Sequence, residues 1–322
     1  MDKLKVALVG VGGISSAHIP SWESMDDVEL VALCDIRPER MEKYENVRKY
    51  TDLDEMLANE TLDILDICTP TYMHADMAVK AMDMGINVIS EKPVSLKKED
   101  VKRVYDCAKK NNVKFFVAQV LRFMTDYSFI KEIYENKKYG KLLCGTMSRL
   151  EAYPAWTWDN WMKDEKRSGL VPFDLHIHDL DWLVYSFGKP VNYFTRRAKT
   201  PDCDYINISY DFDGFFIDTE ASWFSGDKYP FNAGFKFQFE KAIITSIGGK
   251  ITVYEKDGEA IDMTPGAVSC DGNEIGLPKS DAYADEIRYF TDCVKSDVFP
   301  EKIHPQELET VIDILNDILK QK

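Results

Sequence analysis

Between Val171 and Trp182 the chain reads VPFDLHIHDLDW, which gathers three aspartates and two of its five histidines into an apolar setting. These residue types serve metal ligation and acid/base chemistry, and the backbone decides between the two. As a strand, His176 and His178 would share a face and form the His-x-His pair of a zinc hydrolase. As a helix, Asp174, His178 and Asp181 fall within about 60° of one another, with His176 opposite. The helix is favoured because apolar positions continue through LDWLVYSFG to a stop at Gly188. Asp174 and His178 then stand at i and i+4, the spacing at which a carboxylate orients an imidazole or both reach one hydroxyl. A metal needs further ligands, and only His18, His74 and His304 remain, each in a segment with another explanation. No metal is therefore expected, and His176, Asp179 and Asp181 are expected to support the fold around the pair.

A second constellation lies near the start. The run KVALVG leads into GVGGISSAH, giving Gly10-x-Gly12-x-x-Ser15, and Asp35 closes the next apolar run 20 residues after Ser15. Gly-x-Gly alone is equally a tight turn. Leaving a strand, opening a helix and followed by an acid at this distance, it reads as a dinucleotide site. Gly10 permits the turn and Gly12 lets the backbone approach a pyrophosphate. The helix N-terminus, through Gly12, Gly13 and Ile14, presents N–H groups and a positive dipole end to it. Ser15, a small residue, stands where a third glycine is usual. Asp35 would accept from two ribose hydroxyls and repel a 2'-phosphate, favouring NAD over NADP, although Arg37 softens that preference. The alternative for Asp35 is an N-cap for RPERMEKY.

Elements must hold these residues. Through about residue 120, the runs KVALVG, VELVALCD, LDILDICTP, GINVISEKP and VKFFVAQV alternate with amphipathic stretches such as KKEDVKRVYDCAKKNN. Nearly continuous apolar runs suit strands covered on both faces, and strand-helix alternation implies a parallel sheet with right-handed crossovers. Beyond residue 121, after the helical DYSFIKEIYENKKYG, long β-rich runs follow without intervening helices, joined by turn signals such as DFDG and EKDG. They suggest a largely antiparallel sheet. Residues 282–322 return to helix. The expectation is an α/β chain: a doubly wound parallel sheet over residues 1–121, then an α+β domain over 122–322.

Bulk properties narrow the partners. The chain has 322 residues, enough for two domains, and its net charge of −15 argues against nucleic acid or an acidic membrane surface, leaving a small molecule. Seven scattered cysteines without a CxxC pair read as reduced thiols. The apolar run beginning at Lys5 is too short for a signal sequence, and no run reaches the roughly 20 residues of a membrane span, so a cytoplasmic protein is expected.

Together, the glycine turn ending in His18, TPTYMH after the third expected strand, SEKP after the fourth, VAQVLRF in the fifth, the Asp174-x-x-x-His178 pair and the late helix with DEIRYF resemble the glucose-fructose oxidoreductase / inositol dehydrogenase (Gfo/Idh/MocA) family. The resemblance spans essentially the whole chain. It implies a Rossmann domain followed by an α/β domain with an open-faced, mostly antiparallel sheet that commonly makes oligomer contacts, hence a homodimer or homotetramer. It implies a nicotinamide-dependent, metal-free oxidation or reduction of a secondary carbinol on a sugar or cyclitol. It also implies that Lys92, Asp174 and His178 line the site beside the nicotinamide, that Lys92–Pro93 is cis, and that Thr69, Pro70, His74 and Glu91 border the cofactor.

The residues agree with that chemistry. Hydride removal from an alcohol needs a base for the hydroxyl proton and a donor for the developing alkoxide. His178 can move the proton near neutral pH, and Lys92 can supply charge and a hydrogen bond to the same oxygen. Trp156, Trp158 and Trp161 could stack on a sugar ring or close a core. Arg122 could bind a substrate hydroxyl or carboxylate, or pair with a local acid. One departure is the RSGLVPFD ahead of the helix, where Leu170 and Val171 stand in place of the family's usual glycines. The rival readings are an NAD-assisted glycosidase and a catalytically silent nucleotide-binding sensor.

Overall fold

The computed structural model describes residues 3–154, 157–224, 226, 229–264 and 280–321. Trp156 and Cys270 lie outside the described residues. The chain divides into two compact units, Met1–Val120 with Cys270–Glu309, and Leu121–Ser269 with Thr310–Lys322.

In the first unit the order is β1 (Leu4–Val9), α1 (Ser15–Glu23), β2 (Val28–Cys34), β3 (Arg48–Tyr50), α2 (Leu53–Asn59), β4 (Ile64–Ile67), α3 (His74–Asp83), β5 (Asn87–Glu91), α4 (Lys98–Asn111) and β6 (Phe115–Ala118). The strands form one sheet in the order β3-β2-β1-β4-β5-β6, and every pairing is parallel. Val6, Leu8, Leu33, Ile64, Leu65, Val88 and Phe116 are fully buried, as strands covered on both faces require. The order reverses beside β1, and the loops leaving the carboxyl ends of β1 and β4 flank that switch point, where doubly wound sheets bind ligands. The short β3 was not among the expected strands. Its residues, Arg48, Lys49 and Tyr50, form a polar edge with no apolar run to announce it.

In the second unit come α5 (Thr125–Asn136), β7 (Leu142–Ala152), α6 (Glu165–Ser168), α7 (Ile177–Phe187), β8 (Asn192–Thr200), β9 (Cys203–Phe212), β10 (Phe215–Phe224), β11 (Asn232–Phe239), β12 (Ala242–Ile247), β13 (Lys250–Glu255) and β14 (Ala260–Asp262). The sheet order is β14-β13-β12-β11-β7-β10-β9-β8. All pairings are antiparallel except β7 with β10. Burial alternates along β9, so one face packs inward. The core on that face is aromatic: Trp182 of α7 meets Tyr127, Phe187 and Phe237 with ring centroids 5.3 to 5.7 Å apart.

Two helices close the chain, α8 (Ala282–Lys295) and α9 (Pro305–Lys320). Residues 282–309, expected with the second domain, belong instead to the first unit, where α8 packs on α1. Its amphipathic pattern marks a buried face without saying which domain buries it.

Candidate active site

The first unit presents its site residues at the carboxyl ends of parallel strands. Gly10 has a φ of +93°, and a Cβ there would come within 2.6 to 2.7 Å of the Cys68 and Thr69 backbone. Only glycine lets the loop after β4 cross this turn. At Gly12 a Cβ would meet nothing within 4 Å, so open space lies against the backbone. Helix α1 has no side-chain cap, and no acceptor among the described residues takes the N–H groups of Gly12, Gly13 or Ile14. The hydroxyls of Ser15 and Ser16 instead donate to the carbonyls of Gly12 and Gly13. A clear approach and unmet N–H groups at a helix start fit a dinucleotide pyrophosphate.

The carboxylate of Asp35, nearly buried, accepts from the Val11 N–H at 2.8 Å and from the Arg37 N–H at 2.8 Å. It braces the glycine turn, and its remaining lone pairs are the acceptors for ribose hydroxyls. The Arg37 guanidinium is 3.6 Å away. Arg40 was not foreseen. Its Nε donates to the Val11 carbonyl at 2.8 Å, returning from the short 3₁₀ turn after β2 to the glycine loop. Nothing local in PERM signals that return.

Lys92 follows β5, and its bond to Pro93 is cis. The loop is tied on both sides of that bond. Glu91 is buried, accepting from His18 through one oxygen at 3.0 Å and from the Lys92 N–H through the other at 3.0 Å. Burial works against its ionisation, but His18, and then Lys92 and His74, hold its carboxyl below the usual range. His74, which the resemblance sets at the border of the cofactor and which also opens α3, is buried with Nδ1 2.8 Å from the Pro93 carbonyl and Nε2 2.6 Å from the Thr69 carbonyl. It clips the Lys92 loop to the loop after β4. Burial holds its pKa below the ordinary value although both carbonyls favour the charged ring. Thr69 and Pro70, partly exposed, remain on the site side of that clip.

In the second unit α7 opens differently from expectation. Residues Pro172–His176 form a π-helical turn before the α-helix begins at Ile177. Asp174 lies on that wider turn and His178 in the first α turn, both partly exposed. The Nδ1 of His178 is buried. Such π turns interrupt α-helices most often at functional positions. The segment before it is strained: Gly169 has a φ of +72°, and Leu170, a buried residue, holds a φ of +55° where an L side chain is disfavoured. The Leu at a family glycine position thus keeps the glycine backbone.

The neighbouring polar residues His176, Asp179 and Asp181 are buried. Asp181 forms a bidentate pair with Arg122 at 2.8 and 2.7 Å, both side chains being buried. The guanidinium also lies 4.5 Å from the Tyr185 ring centroid. Of the two readings offered for Arg122, the structure shows the pairing with a local acid. Asp179 pairs with Arg149 in the same way, at 3.1 and 2.8 Å, and Arg149 also donates to the Tyr127 hydroxyl. His176 is fully buried, its Nε2 2.8 Å from the Tyr210 hydroxyl, and burial pushes its pKa down to about 4, so it is neutral at pH 7. Trp161 sits partly exposed on the 3₁₀ turn Trp158–Lys163.

The comparisons with known proteins agree with the fold. Residues 4–119 match the oxidoreductase family with an NAD-binding Rossmann fold, and residues 127–245 match the GFO/IDH/MocA C-terminal domain. The chain belongs to the Gfo/Idh/MocA oxidoreductase family, and its first domain is that family's NAD-binding Rossmann fold. It is 28% identical over 193 residues to the myo-inositol 2-dehydrogenase of Thermotoga maritima, covering 58% of this chain and 56% of that protein. Its identity to the D-glucoside 3-dehydrogenase of Escherichia coli is also 28%, over 192 residues, covering 58% and 55%. The chain thus spans little more than half the length of these curated relatives. Among solved structures, a levoglucosan dehydrogenase in complex with NADH and levoglucosan superposes with a TM-score of 0.84 at 17% identity, covering 99% of this chain and 97% of that one. The myo-inositol 2-dehydrogenase of Lactobacillus plantarum gives 0.80 at 20%, covering 98% and 96%. At these identities the likeness is one of fold.

Proposed function

We propose that the protein is an NAD-dependent dehydrogenase that transfers a hydride between the nicotinamide and a secondary carbinol of a sugar, cyclitol or sugar derivative. Lys92, Asp174 and His178 do the work at the hydroxyl. The observation that carries the reading is the double fastening of the Lys92 loop, through Glu91 and through Pro93, at the carboxyl end of a Rossmann strand. A lysine in a plain turn needs no such fixing.

When bound, NAD supplies the hydride acceptor. Gly12, Gly13 and Ile14 hold its pyrophosphate, and Asp35 takes the ribose hydroxyls, with Arg37 and Arg40 at hand to temper the bias against NADP. Lys92 donates to the carbinol oxygen and stabilises negative charge as it develops there. His178 moves the hydroxyl proton at Nε2, since Nδ1 is buried. Asp174 accepts from a neighbouring hydroxyl of the substrate. The substrate class rests on the relatives named for inositol and D-glucoside.

A second copy of the chain is the partner this reading favours. Phe194, Phe216, Phe224, Ile247 and Tyr254, all on strands of the large sheet, are 45 to 68% exposed, which is costly for a face left in water.

The test is absorbance in the reduced-nicotinamide band with myo-inositol, glucose, alkyl glucosides, levoglucosan and their oxidised forms, with NAD and NADP in parallel. Net NAD reduction with one of them is the expected result. Release of free sugar from a glycoside without net NAD reduction points to the glycosidase, and NAD binding without turnover points to the sensor.

A further inference from the structure

Beneath the Lys92 loop the first unit buries an unusual set of ionisable groups. His18 of α1 is fully buried, its Nδ1 2.9 Å from Asp66 Oδ2 and its Nε2 3.0 Å from Glu91 Oε1. Asp66, on β4, is also fully buried and further accepts from the Trp22 indole N–H at 2.7 Å and from the Cys68 thiol at 3.5 Å. From α8, the Tyr283 ring centroid lies 6.2 Å from that of His18, and Glu286 is fully buried with neither carboxyl oxygen engaged among the described residues. Ligand atoms of His18, Asp66 and Cys68 lie within 4.8 Å of one another, close enough for a metal. Both ring nitrogens of His18, however, already face carboxylates. The simplest occupant of the set is a proton.

The charges decide its state. Two carboxylates, one on each ring nitrogen, are each satisfied only if His18 donates from both, as the imidazolium. Burial alone would push the ring towards neutrality, but Asp66 and Cys68 beside it raise its pKa well above the ordinary value. Glu286, facing Glu91, His18 and Asp66, is driven the same way, first by burial and then by Glu91, towards its protonated form. The thiol of Cys68 is raised as well, chiefly by burial.

We propose that His18 is a positioning residue for Lys92. Anchored by Asp66, the charged ring grips one oxygen of Glu91, whose other oxygen grips the Lys92 N–H, so a buried chain of three residues, from α1, β4 and β5, aims the lysine. Neutral Glu286 keeps a further negative charge away from that chain. The inference rests on the reading of Lys92 as the alkoxide stabiliser.

The test compares wild type, His18→Gln and Lys92→Met on the full chain, using the substrate from the panel above that reduces NAD fastest. NAD affinity is read separately by quenching of tryptophan fluorescence. In His18→Gln we expect kcat to fall by about a hundredfold, the cost of a lysine shifted by an ångström or so, with substrate KM and NAD Kd within about threefold. A kcat near wild type with only a lower Tm would make His18 plainly structural and overturn the proposal. So would a loss expressed mainly as weaker NAD binding. An active Lys92→Met sinks the reading of Lys92 and this proposal with it. An inert Lys92→Met beside an active His18→Gln sinks only the positioning chain. If His18→Gln fails to fold, ¹⁵N NMR of histidine-labelled wild type decides. A His18 ring protonated on both nitrogens up to about pH 8 supports the proposal, and a neutral ring at about pH 7 overturns it.

Discussion

The loop carrying Lys92 and the helix carrying His178 are held in place by opposite means. The loop is fastened through its backbone, by a Glu91 oxygen on the Lys92 N–H and by His74 on the Pro93 carbonyl, and behind these lie His18 and Glu286, groups that gain or lose protons. The helix is fastened through its side chains, Asp179 to Arg149 and Asp181 to Arg122, by guanidinium groups that stay charged at any working pH. The first arrangement depends on a buried titratable imidazole, the second on permanently charged guanidinium groups.

Four substitutions press on that contrast. The largest effect belongs to Lys92→Met, which should lower kcat by about 10³-fold or more while NAD affinity, read by fluorescence, changes little. A comparable loss of cofactor binding would mean that the loop is fixed for the dinucleotide and not for the substrate. Next comes Arg122→Met, which takes the bidentate guanidinium away from a buried acid, Asp181, and should cost about 3–5 kcal/mol in urea unfolding. Combining it with Asp181→Leu should restore most of that, and if it does not, the pair is not what anchors α7.

Leu170→Gly tests the strained entry to the same helix. Relief of the left-handed backbone is worth about 1–2 kcal/mol, while losing a buried leucine side chain costs about 2–5 kcal/mol. Burial wins, so a net loss of about 1–3 kcal/mol in urea unfolding is expected. A gain in stability would show that the side chain packs poorly and is kept for another reason.

The smallest effect is a slope. A raised folded-state pKa at Glu286 means that its stabilising contribution is complete below the ordinary value of 4.5 and is lost as pH rises through the folded value. Glu286→Gln removes that dependence, so the Tm of wild type should fall relative to the variant as pH rises above the ordinary value of 4.5. Parallel Tm curves would mean that Glu286 is ionised or solvated, and the pH contrast between the two regions would weaken.

Much of this was readable from local pattern. Gly10, Gly12 and Asp35 are recognisable because a tight turn, a close backbone approach and an acid after the second strand each demand a residue type at a set distance. Helical periodicity separates Asp174 and His178 from His176, and the folded chain buries His176 while leaving the other two partly exposed. His18, His74 and Arg122 are harder. Each is a polar residue in an ordinary helix or strand-end segment, and its partner lies 59 residues away for Arg122, or 48 and 73 for His18. No pattern along the chain distinguishes a lysine-aiming histidine from a core one.

Alternation of apolar runs and helices was enough for a doubly wound sheet followed by an antiparallel one, because burial on two faces or on one imposes its own period on the sequence. The edge strand β3, the return of α8 to the first unit, the burial of Arg122 against Asp181 and the charged cluster around His18 emerged only in the folded chain. These depend on which distant segments meet. A buried charge takes its meaning from the group that neutralises it, and that group is chosen by the tertiary fold.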